Sequence, residues 1–238
     1  MLWFHACVCQ CVDPYNLMPK KIWMSWSSGK DSAYALHQLR LVGEYEVVGL
    51  LCTLTETFDR VSMHATRREL LEKQAQQLGL PLHLVLIPSP CTNEIYETQM
   101  QLLLTQAVSD GVKYIAFGDL FLEDLRKYRE EKLAMIKMQA LFPLWGNNTL
   151  QLAHEMIDAG MKAIVTCIDP KKLDASFAGR QFDKTLLNDL PRDVDPCAEN
   201  GEFHTFVYDG PMFFKPIAHS VGEIVTRDGF VFADVLPI

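Results

Sequence analysis

A short polar segment between an apolar run and a helix pattern is the most informative feature of this sequence. The apolar run is Ile22 to Met24, and the helix pattern starts at Ala33. The segment reads, in order, Ser27, Ser28, Gly29, Lys30, Asp31 and Ser32. Backbone N–H groups at the start of a helix, together with the positive end of the helix dipole, bind phosphate. The lysine adds a positive charge and the serines add hydroxyl donors. Residues 27–32, called the serine loop below, therefore predict a phosphate site.

Two other interpretations of the serine loop have to be weighed. Such a turn often only caps the helix that follows, and Asp31 or Ser32 would be a good cap. A Walker-type loop, G-x-x-x-x-G-K-[ST], needs a glycine five residues before Gly29. Met24 stands there instead and Asp31 follows the lysine, so an ordinary ATPase or GTPase loop is not indicated. Asp31 carries the only carboxylate of the loop and is a candidate Mg²⁺ ligand.

Alternating strand and helix patterns predict the elements that would position this loop. Mostly apolar runs, typical of parallel strands buried on both faces, cover residues 22–26, 47–54, 82–87, 114–117 and 163–168. Helix patterns cover residues 66–78, 94–108, 122–141 and 149–159. This alternation predicts an α/β fold with a parallel sheet.

Polar residues follow several of these predicted strands. The serine loop follows the first strand, and Gly118 and Asp119 follow the fourth. The end of the second carries Thr53, Thr55, Glu56 and Thr57. Open parallel sheets bind ligands beyond the carboxyl ends of their strands, so we expect one nucleotide site that includes Thr53, Gly118 and Asp119. Asp119 is a candidate ligand for Mg²⁺ or ribose, although an aspartate at a strand end is also a common turn former.

The pattern changes after about residue 170. Residues 173–190 read as helix and loop, and residues 204–208 as a strand. Residues 223–226 and 230–236 flank a turn at 227–229 and predict a hairpin. We therefore predict a nucleotide-binding α/β domain at 20–146 and a smaller mixed α+β region on the substrate side at 147–238. Residues 1–19 are expected to lie outside the core, and one explanation for them is an upstream start codon, with Met18 the first native residue.

Composition and charge limit the function classes. Of the 238 residues, 49% are hydrophobic and 22% charged, and the formal net charge of −8 argues against a nucleic-acid partner. The basic stretch 126–129 alternates with acidic residues and reads as a solvated helix face. No apolar run is long enough for a membrane span, and the apolar N-terminus lacks a basic region typical of a signal peptide, so a cytoplasmic protein is expected. A homo-oligomer is compatible with the sequence.

The cysteines do not indicate a zinc ribbon or a redox pair. There are seven, and no two stand in a C-x-x-C pair. Cys7, Cys9 and Cys11 lack an obvious fourth ligand for a soft metal. Cys52 and Cys167 lie in apolar runs and are expected to be buried thiols. Whether Cys197 is reactive is left open.

The serine loop closely resembles the S-G-G-K-D-S loop of the PP-loop ATP pyrophosphatases, with a serine at the position of the first glycine. The resemblance implies a HUP-type α/β fold that binds ATP and cleaves it between the α and β phosphates. In that family the substrate is typically adenylated, pyrophosphate leaves, and a nitrogen or sulfur nucleophile displaces AMP.

Further segments resemble the diphthine–ammonia ligases within that group. These are Gly118-Asp119 with Arg126, Arg129 and Glu130, then residues 144–164, 197–205 and 209–213. The third segment, C-A-E-N-G-E-F-H-T, is similar to the ligases' C-G-E-G-G-E-Y-E-T. Ala198, Asn200 and His204 depart from that pattern. The segment is similar to the bacterial branch, described as adenine nucleotide alpha hydrolase-like, so the acceptor stays open.

The resemblance implies an ATP-dependent adenylating amide ligase with Mg²⁺ and ATP, ammonia as nitrogen donor and an unidentified carboxylate acceptor. The implied catalytic residues are Lys30, Asp31, Glu199, Glu202 and His204. The implied substrate-binding residues are Glu199, Asn200, Gly201 and Glu202. From the residues alone, the segment 197–205 is equally typical of a polar turn that leads into a strand.

Three alternatives to this ligase reading remain. They are an adenine nucleotide alpha hydrolase, a non-catalytic ATP-binding protein and a tRNA-modifying PP-loop enzyme. The acidic net charge and the missing C-x-x-C pair argue against the last of these.

Overall fold

The computed structural model describes residues 19–238, which form two β-sheets and six α-helices. The expectations about an N-terminal extension, a start at Met18 and the cysteines Cys7, Cys9 and Cys11 fall outside this part of the chain.

The first sheet is parallel and is built around β1. Its strands, from one edge to the other, are β4 (Leu82–Ile87), β2 (Tyr45–Thr55), β1 (Lys20–Ser25), β5 (Tyr114–Ala116) and β6 (Gln139–Leu141). A two-residue strand, β3 (Arg60–Val61), pairs antiparallel with the end of β2. Ile22 and Met24 of β1 face one buried cluster and Trp23 faces another. Burial on both faces is why this strand reads as a continuous apolar run, and the predicted parallel α/β sheet is confirmed.

Four helices connect these strands, and one of them differs from its prediction. They are α1 (Lys30–Val42), α2 (Arg68–Leu78), α3 (Asn93–Ser109) and α4 (Glu123–Ala134). The predicted helix over 122–141 is wrong beyond Ala134, because α4 ends there and Gln139–Leu141 is strand β6. Lys137 has a left-handed φ of +59°, which an α-helix cannot continue through. The apolar residues after Lys137 are needed for strand β6, and their spacing happens to continue the apolar pattern of the helix.

The second sheet is antiparallel. Its order is β8 (Phe203–Asp209), β7 (Lys162–Ile168), β10 (Phe230–Pro237) and β9 (His219–Arg227), with α5 (Thr149–Asp158) and α6 (Lys184–Asp189) beside it. The prediction that the run 163–168 joins the parallel sheet is therefore wrong. Val165 and Ile164 lie in different buried clusters, so β7 is covered on both faces like a parallel strand. A continuous apolar run indicates that a strand is buried on both faces, but it does not show to which sheet the strand belongs.

The two sheets share a core, since Ile22 of β1 and Val165 of β7 belong to the same buried cluster. The predicted hairpin is present, with Asp228 at φ +51° and Gly229 at φ +82° in its two-residue turn. The division at residue 146 stays a prediction. None of the helices in residues 19–238 has the length and apolar character needed to cross a membrane.

Candidate active site

The serine loop turns sharply from β1 into α1. Its start is fixed by the Trp26 N–H, which donates to the Leu51 carbonyl at 2.7 Å. Gly29 is the N-cap of α1, with no side-chain capping bond, so the capping explanation for Asp31 or Ser32 is wrong. The Ser32 hydroxyl instead donates to the Gly29 carbonyl at 3.0 Å and lies 3.2 Å from the Ser27 hydroxyl. The serines thus shape the loop from inside.

Ser28 has a left-handed backbone, with φ of +69°, and is fully buried. Its hydroxyl shares a 2.7 Å hydrogen bond with the Thr66 hydroxyl. Its carbonyl accepts hydrogen bonds from the Gln74 side chain at 3.1 Å and from the Val207 N–H at 3.0 Å. Neither Thr66 nor Gln74 is among the residues predicted for the site. The available signal was a glutamine on the apolar side of the predicted helix 66–78.

Lys30 lies inside the protein, with 2% of the residue exposed. Its ammonium contacts both carboxylate oxygens of Asp31, at 2.9 and 2.8 Å, and donates to the carbonyl oxygen of Cys197. Burial is the largest single influence and would lower the pKa of the Lys30 ammonium, but Asp31, with smaller contributions from Cys197 and Glu199, holds that pKa above its ordinary value. The predicted phosphate lysine therefore also joins the serine loop to the C-terminal region.

The loop after β5 lies directly against the head of α1. A Cβ on Gly118 would be 2.8 Å from the Asp31 carbonyl carbon and 2.9 Å from the Ser32 nitrogen. Only a glycine allows this approach. The structure thus brings together two of the predicted polar clusters, at the point where the strand order reverses around β1.

Asp119, the next residue, is mostly buried. One of its oxygens lies 3.2 Å from Arg129, and the other has no hydrogen-bond partner among the described residues. Burial raises the pKa of the Asp119 carboxyl, an effect that the Arg129 guanidinium only partly offsets. Arg129 also lies over the Phe117 ring, 4.1 Å from its centre. The prediction that the whole stretch 126–129 is a solvated face is therefore wrong for Arg129, although Arg126 does pair with Glu130 at 2.8 Å.

Glu199 connects the C-terminal region to this same loop. Its carboxylate accepts hydrogen bonds from the Leu120 N–H at 2.7 Å and the Phe121 N–H at 3.3 Å. Burial raises the pKa of Glu199, and the negative charges of Asp31 and Asp119 add to the increase. Three of the predicted carboxylates are thus close enough to affect one another's ionisation.

Glu202 stabilises its own loop from inside and is 3% exposed. One of its oxygens accepts hydrogen bonds from the Asp195 N–H and the Asn200 side chain, both at 3.1 Å. The other oxygen has no partner among the described residues. Gly201 has a φ of +79°, as expected where the chain turns into β8. The predicted substrate roles of Glu202, Asn200 and Gly201 stay predictions.

Cys197 is a buried thiol whose sulfur lies 3.2 Å from the Thr149 carbonyl. Burial raises the pKa of this thiol well above its ordinary value, which favours a structural role over a reactive one. Cys52 and Cys167 are buried, as predicted.

His204 lies beside a second imidazole, that of His64, with ring centres 4.5 Å apart. His64 follows β3, and its Nδ1 lies 3.2 Å from the Thr205 carbonyl oxygen. Removal of water lowers the pKa of His64 to about 4 and the pKa of His204 well below its ordinary value. No local pattern marked His64, because its contacts are to residues far along the chain.

A cavity of about 360 Å³ opens at the carboxyl ends of β1, β2 and β5. Ser27 and Thr53 line it on the side of the serine loop, and Arg129 lines it from α4. Apolar and aromatic residues from the sheet, α3 and α4 form much of the remaining wall, among them Trp26, Leu51, Tyr96, Met100, Phe117 and Tyr128. Such an apolar lining with a few polar groups is typical of small-molecule sites.

Comparison with protein-family models matches both parts of the chain. Residues 20–135 match the diphthamide synthase N-terminal domain, and residues 148–231 match the diphthamide synthase C-terminal domain. The chain belongs to the diphthamide synthase family. Membership of this family confirms the resemblance stated above and the prediction of a ligase enzyme that uses ATP.

Curated relatives extend over nearly the same span. The chain is similar to the diphthine–ammonia ligase of Bos taurus, with 27% identity over 232 residues, covering 88% of this chain and 86% of that protein. The diphthine–ammonia ligase of Homo sapiens is 26% identical, with the same shares covered. That of Schizosaccharomyces pombe is 25% identical over 219 residues, which is 36% of its own length.

Proposed function

We propose that this protein activates a carboxylate by adenylation and joins it to ammonia, with release of AMP and pyrophosphate. The names of the relatives support an amide-forming reaction. The observation that carries the proposal is the contact of Gly118 with the Asp31–Ser32 backbone, which makes one crevice from the head of α1 and the end of β5. Open α/β sheets bind nucleotides at such a crevice.

The crevice has separate surroundings for the two halves of ATP. The apolar cavity suits the nucleoside, because aromatic residues line it and Ser27 of the serine loop forms part of its wall. The N-terminus of the 13-residue helix α1 suits the phosphates. The buried Lys30 ammonium would attract the phosphates by its positive charge, and it also fixes the position of the Asp31 carboxylate. Cleavage between the α and β phosphates would then occur where the cavity meets the helix.

Mg²⁺ fits this site through Asp119 and Asp31. Residues 19–238 contain no group of three or more histidine, cysteine or acidic side chains placed to hold a metal. Mg²⁺, however, is usually held by one or two carboxylates together with substrate phosphates. The free oxygen of Asp119 and the neighbouring Asp31 carboxylate would provide these ligands. Bound there, the ion would neutralise charge on the departing pyrophosphate.

We place the acceptor on the side of Glu199, Asn200, Gly201, Glu202 and His204. The loop 195–202 contacts both nucleotide loops, through the bond from Lys30 to Cys197 and the bonds from Leu120 and Phe121 to Glu199. Ala198, Asn200 and His204 depart from the ligase pattern in this loop. The acceptor is therefore proposed only as a carboxylate, and diphthine is one candidate.

The test is incubation of the protein with ATP, Mg²⁺ and ammonium chloride in a pool of metabolites and cell proteins. We expect AMP and pyrophosphate, together with an amidated product found by mass spectrometry. Asp119→Asn should lower AMP formation by about 100-fold. Glu123→Gln, a change on the exposed start of α4, is the matched control and should have no effect.

Other product patterns would contradict the proposal. ADP and orthophosphate would mean cleavage at the wrong bond. AMP without any amidated product would identify an adenine nucleotide alpha hydrolase, and ATP binding without turnover would identify a non-catalytic binding protein.

A further inference from the structure

Two imidazoles lie together beside the serine loop. The ring centres of His64 and His204 are 4.5 Å apart, and the rings are inclined by 45°. A Cβ on Gly29 would be only 2.7 Å from Cε1 of His64, so the His64 ring covers one side of the loop. Both histidines have intermediate solvent exposure, although most of each residue is covered by protein.

The hydrogen bond of His64 determines which of its nitrogens is free. Nδ1 lies 3.2 Å from the Thr205 carbonyl oxygen, and a carbonyl can only accept. Nδ1 therefore carries the hydrogen, and Nε2 keeps a lone pair. The Thr205 hydroxyl also accepts from the Lys30 N–H at 3.0 Å. Through Thr205, the imidazole is held in a fixed position relative to the head of α1.

The backbone around His64 adopts an unusual conformation. Met63 and Ala65, on either side of it, have left-handed φ angles of +62° and +56°. Residues with a Cβ rarely adopt this region, and such strain is concentrated at functional sites. The Arg60 guanidinium donates to the Ala65 carbonyl at 2.8 Å and helps to hold this segment.

Both imidazoles are uncharged at neutral pH. Desolvation lowers the pKa of each, and the Lys30 ammonium adds to the effect on both. His204 is additionally affected by His64 itself. The pair therefore offers hydrogen-bond acceptors without negative charge.

We propose that His64 and His204 bind the nitrogen donor as ammonia, which donates its N–H groups to the imidazole lone pairs. This inference rests on the proposed function. Ammonia has three N–H groups and one lone pair, so acceptors at the N–H groups leave the lone pair free to attack. A carboxylate would instead stabilise ammonium, which has no lone pair. Uncharged acceptors near the Lys30 charge select the nucleophilic form.

The step is balanced without a further reactant. The ammonia lone pair forms a C–N bond to the carbonyl carbon of the acyl-adenylate. The bond from that carbon to the AMP oxygen breaks, and its electron pair leaves with AMP. The surplus proton on nitrogen is released to solvent, which leaves the amide.

The test is NMR on wild-type protein labelled with ¹⁵N in histidine, titrated at mildly alkaline pH with ammonium chloride, a substantial part of which is then ammonia, or with potassium chloride. Potassium has the charge and about the size of ammonium but no N–H groups, so it controls for salt. We expect saturable shifts of the His64 and His204 imidazole nitrogens with ammonium only. His219 is an internal control and should not respond. Its Nδ1 also lies close to a carbonyl oxygen, that of Ile217, at 2.8 Å. In His64→Phe, the response of His204 should be lost.

Absence of an ammonium-specific shift, or equal shifts with both salts, would overturn the inference. A full response of His204 in His64→Phe would also overturn it, and if that variant does not fold, the comparison of the two salts in wild type still decides. Formation of AMP and an amide without an ammonium-specific shift would reject this subsite alone. A lack of AMP would reject the proposed function.

Discussion

The Lys30 ammonium donates a hydrogen bond to the carbonyl oxygen of Cys197, 167 residues further along the chain. The same ammonium pairs with Asp31 at 2.8 Å, and only 3% of the lysine side chain is exposed. One charge thus holds the head of α1 to the loop 195–202. Under the proposed function, this one side chain would couple nucleotide binding on one side of the contact to acceptor binding on the other.

Removing either charge of this pair should destabilise the fold unequally. Lys30→Met leaves the Asp31 carboxylate unpaired, and we expect a loss of about 2 kcal/mol, because 27% of that side chain is exposed. Asp31→Asn leaves the more deeply buried Lys30 ammonium unpaired and should cost roughly 3–5 kcal/mol. Urea denaturation measures both losses. The double variant should recover most of the stability, and equal losses in both single variants would contradict this account.

The bond between Ser28 and Thr66 should show strong coupling in a double-mutant cycle. Thr66→Val leaves the buried Ser28 hydroxyl without its partner and should cost about 1–3 kcal/mol. Ser28→Gly relieves the left-handed backbone but leaves the Thr66 hydroxyl unpaired, so its net cost should be smaller. The variant with both changes should be more stable than the sum of the two predicts. Additive losses of unfolding free energy would mean that the hydroxyls act independently.

At Ala198 we expect a glycine to give a more stable protein than the alanine that is present. Its φ of +58° costs an alanine roughly 1–2 kcal/mol, whereas the extra freedom of glycine in the unfolded chain costs about 0.4–1 kcal/mol. Ala198→Gly should therefore raise the thermal midpoint slightly. Ala159→Gly, at a φ of −69°, is the control and should lower the midpoint. If both substitutions lower it equally, backbone strain at Ala198 is not significant.

Acid should destabilise the protein partly through His64. Its pKa is about 4 in the folded state against an ordinary value of 6.5, so only the unfolded chain takes up a proton between these values. Stability from this group is complete above about pH 6.5 and decreases as the pH falls toward 4, by at most about 1.4 kcal/mol per pH unit. In His64→Gln the plot of unfolding free energy against pH should have a shallower slope, by up to the amount that corresponds to one fewer proton taken up on unfolding. Identical slopes would show that His64 is not desolvated.

Much of the fold could be predicted because its signals are local. The run from Leu82 to Ile87 has the bounds of β4, and the hairpin at 227–229 follows from its turn residues. Lys137 shows where this approach fails, since nothing in the sequence marks a lysine with a left-handed backbone that ends a helix pattern. The antiparallel pairing of β7 with β8 depends on residues about 40 positions apart, which periodicity does not report.

The sequence by itself determined the alternation of strands and helices in the parallel sheet as far as β5 and the place of the serine loop at the head of α1. Both depend on short-range features, namely apolar periodicity and the small residues that a sharp turn requires. Only the tertiary structure decided that Lys30 lies inside, that Arg129 pairs with Asp119, and that His64 lies against Gly29 and His204. These contacts arise where separate elements pack together, and their energy depends on burial and distance, which neighbouring residues in the chain do not encode.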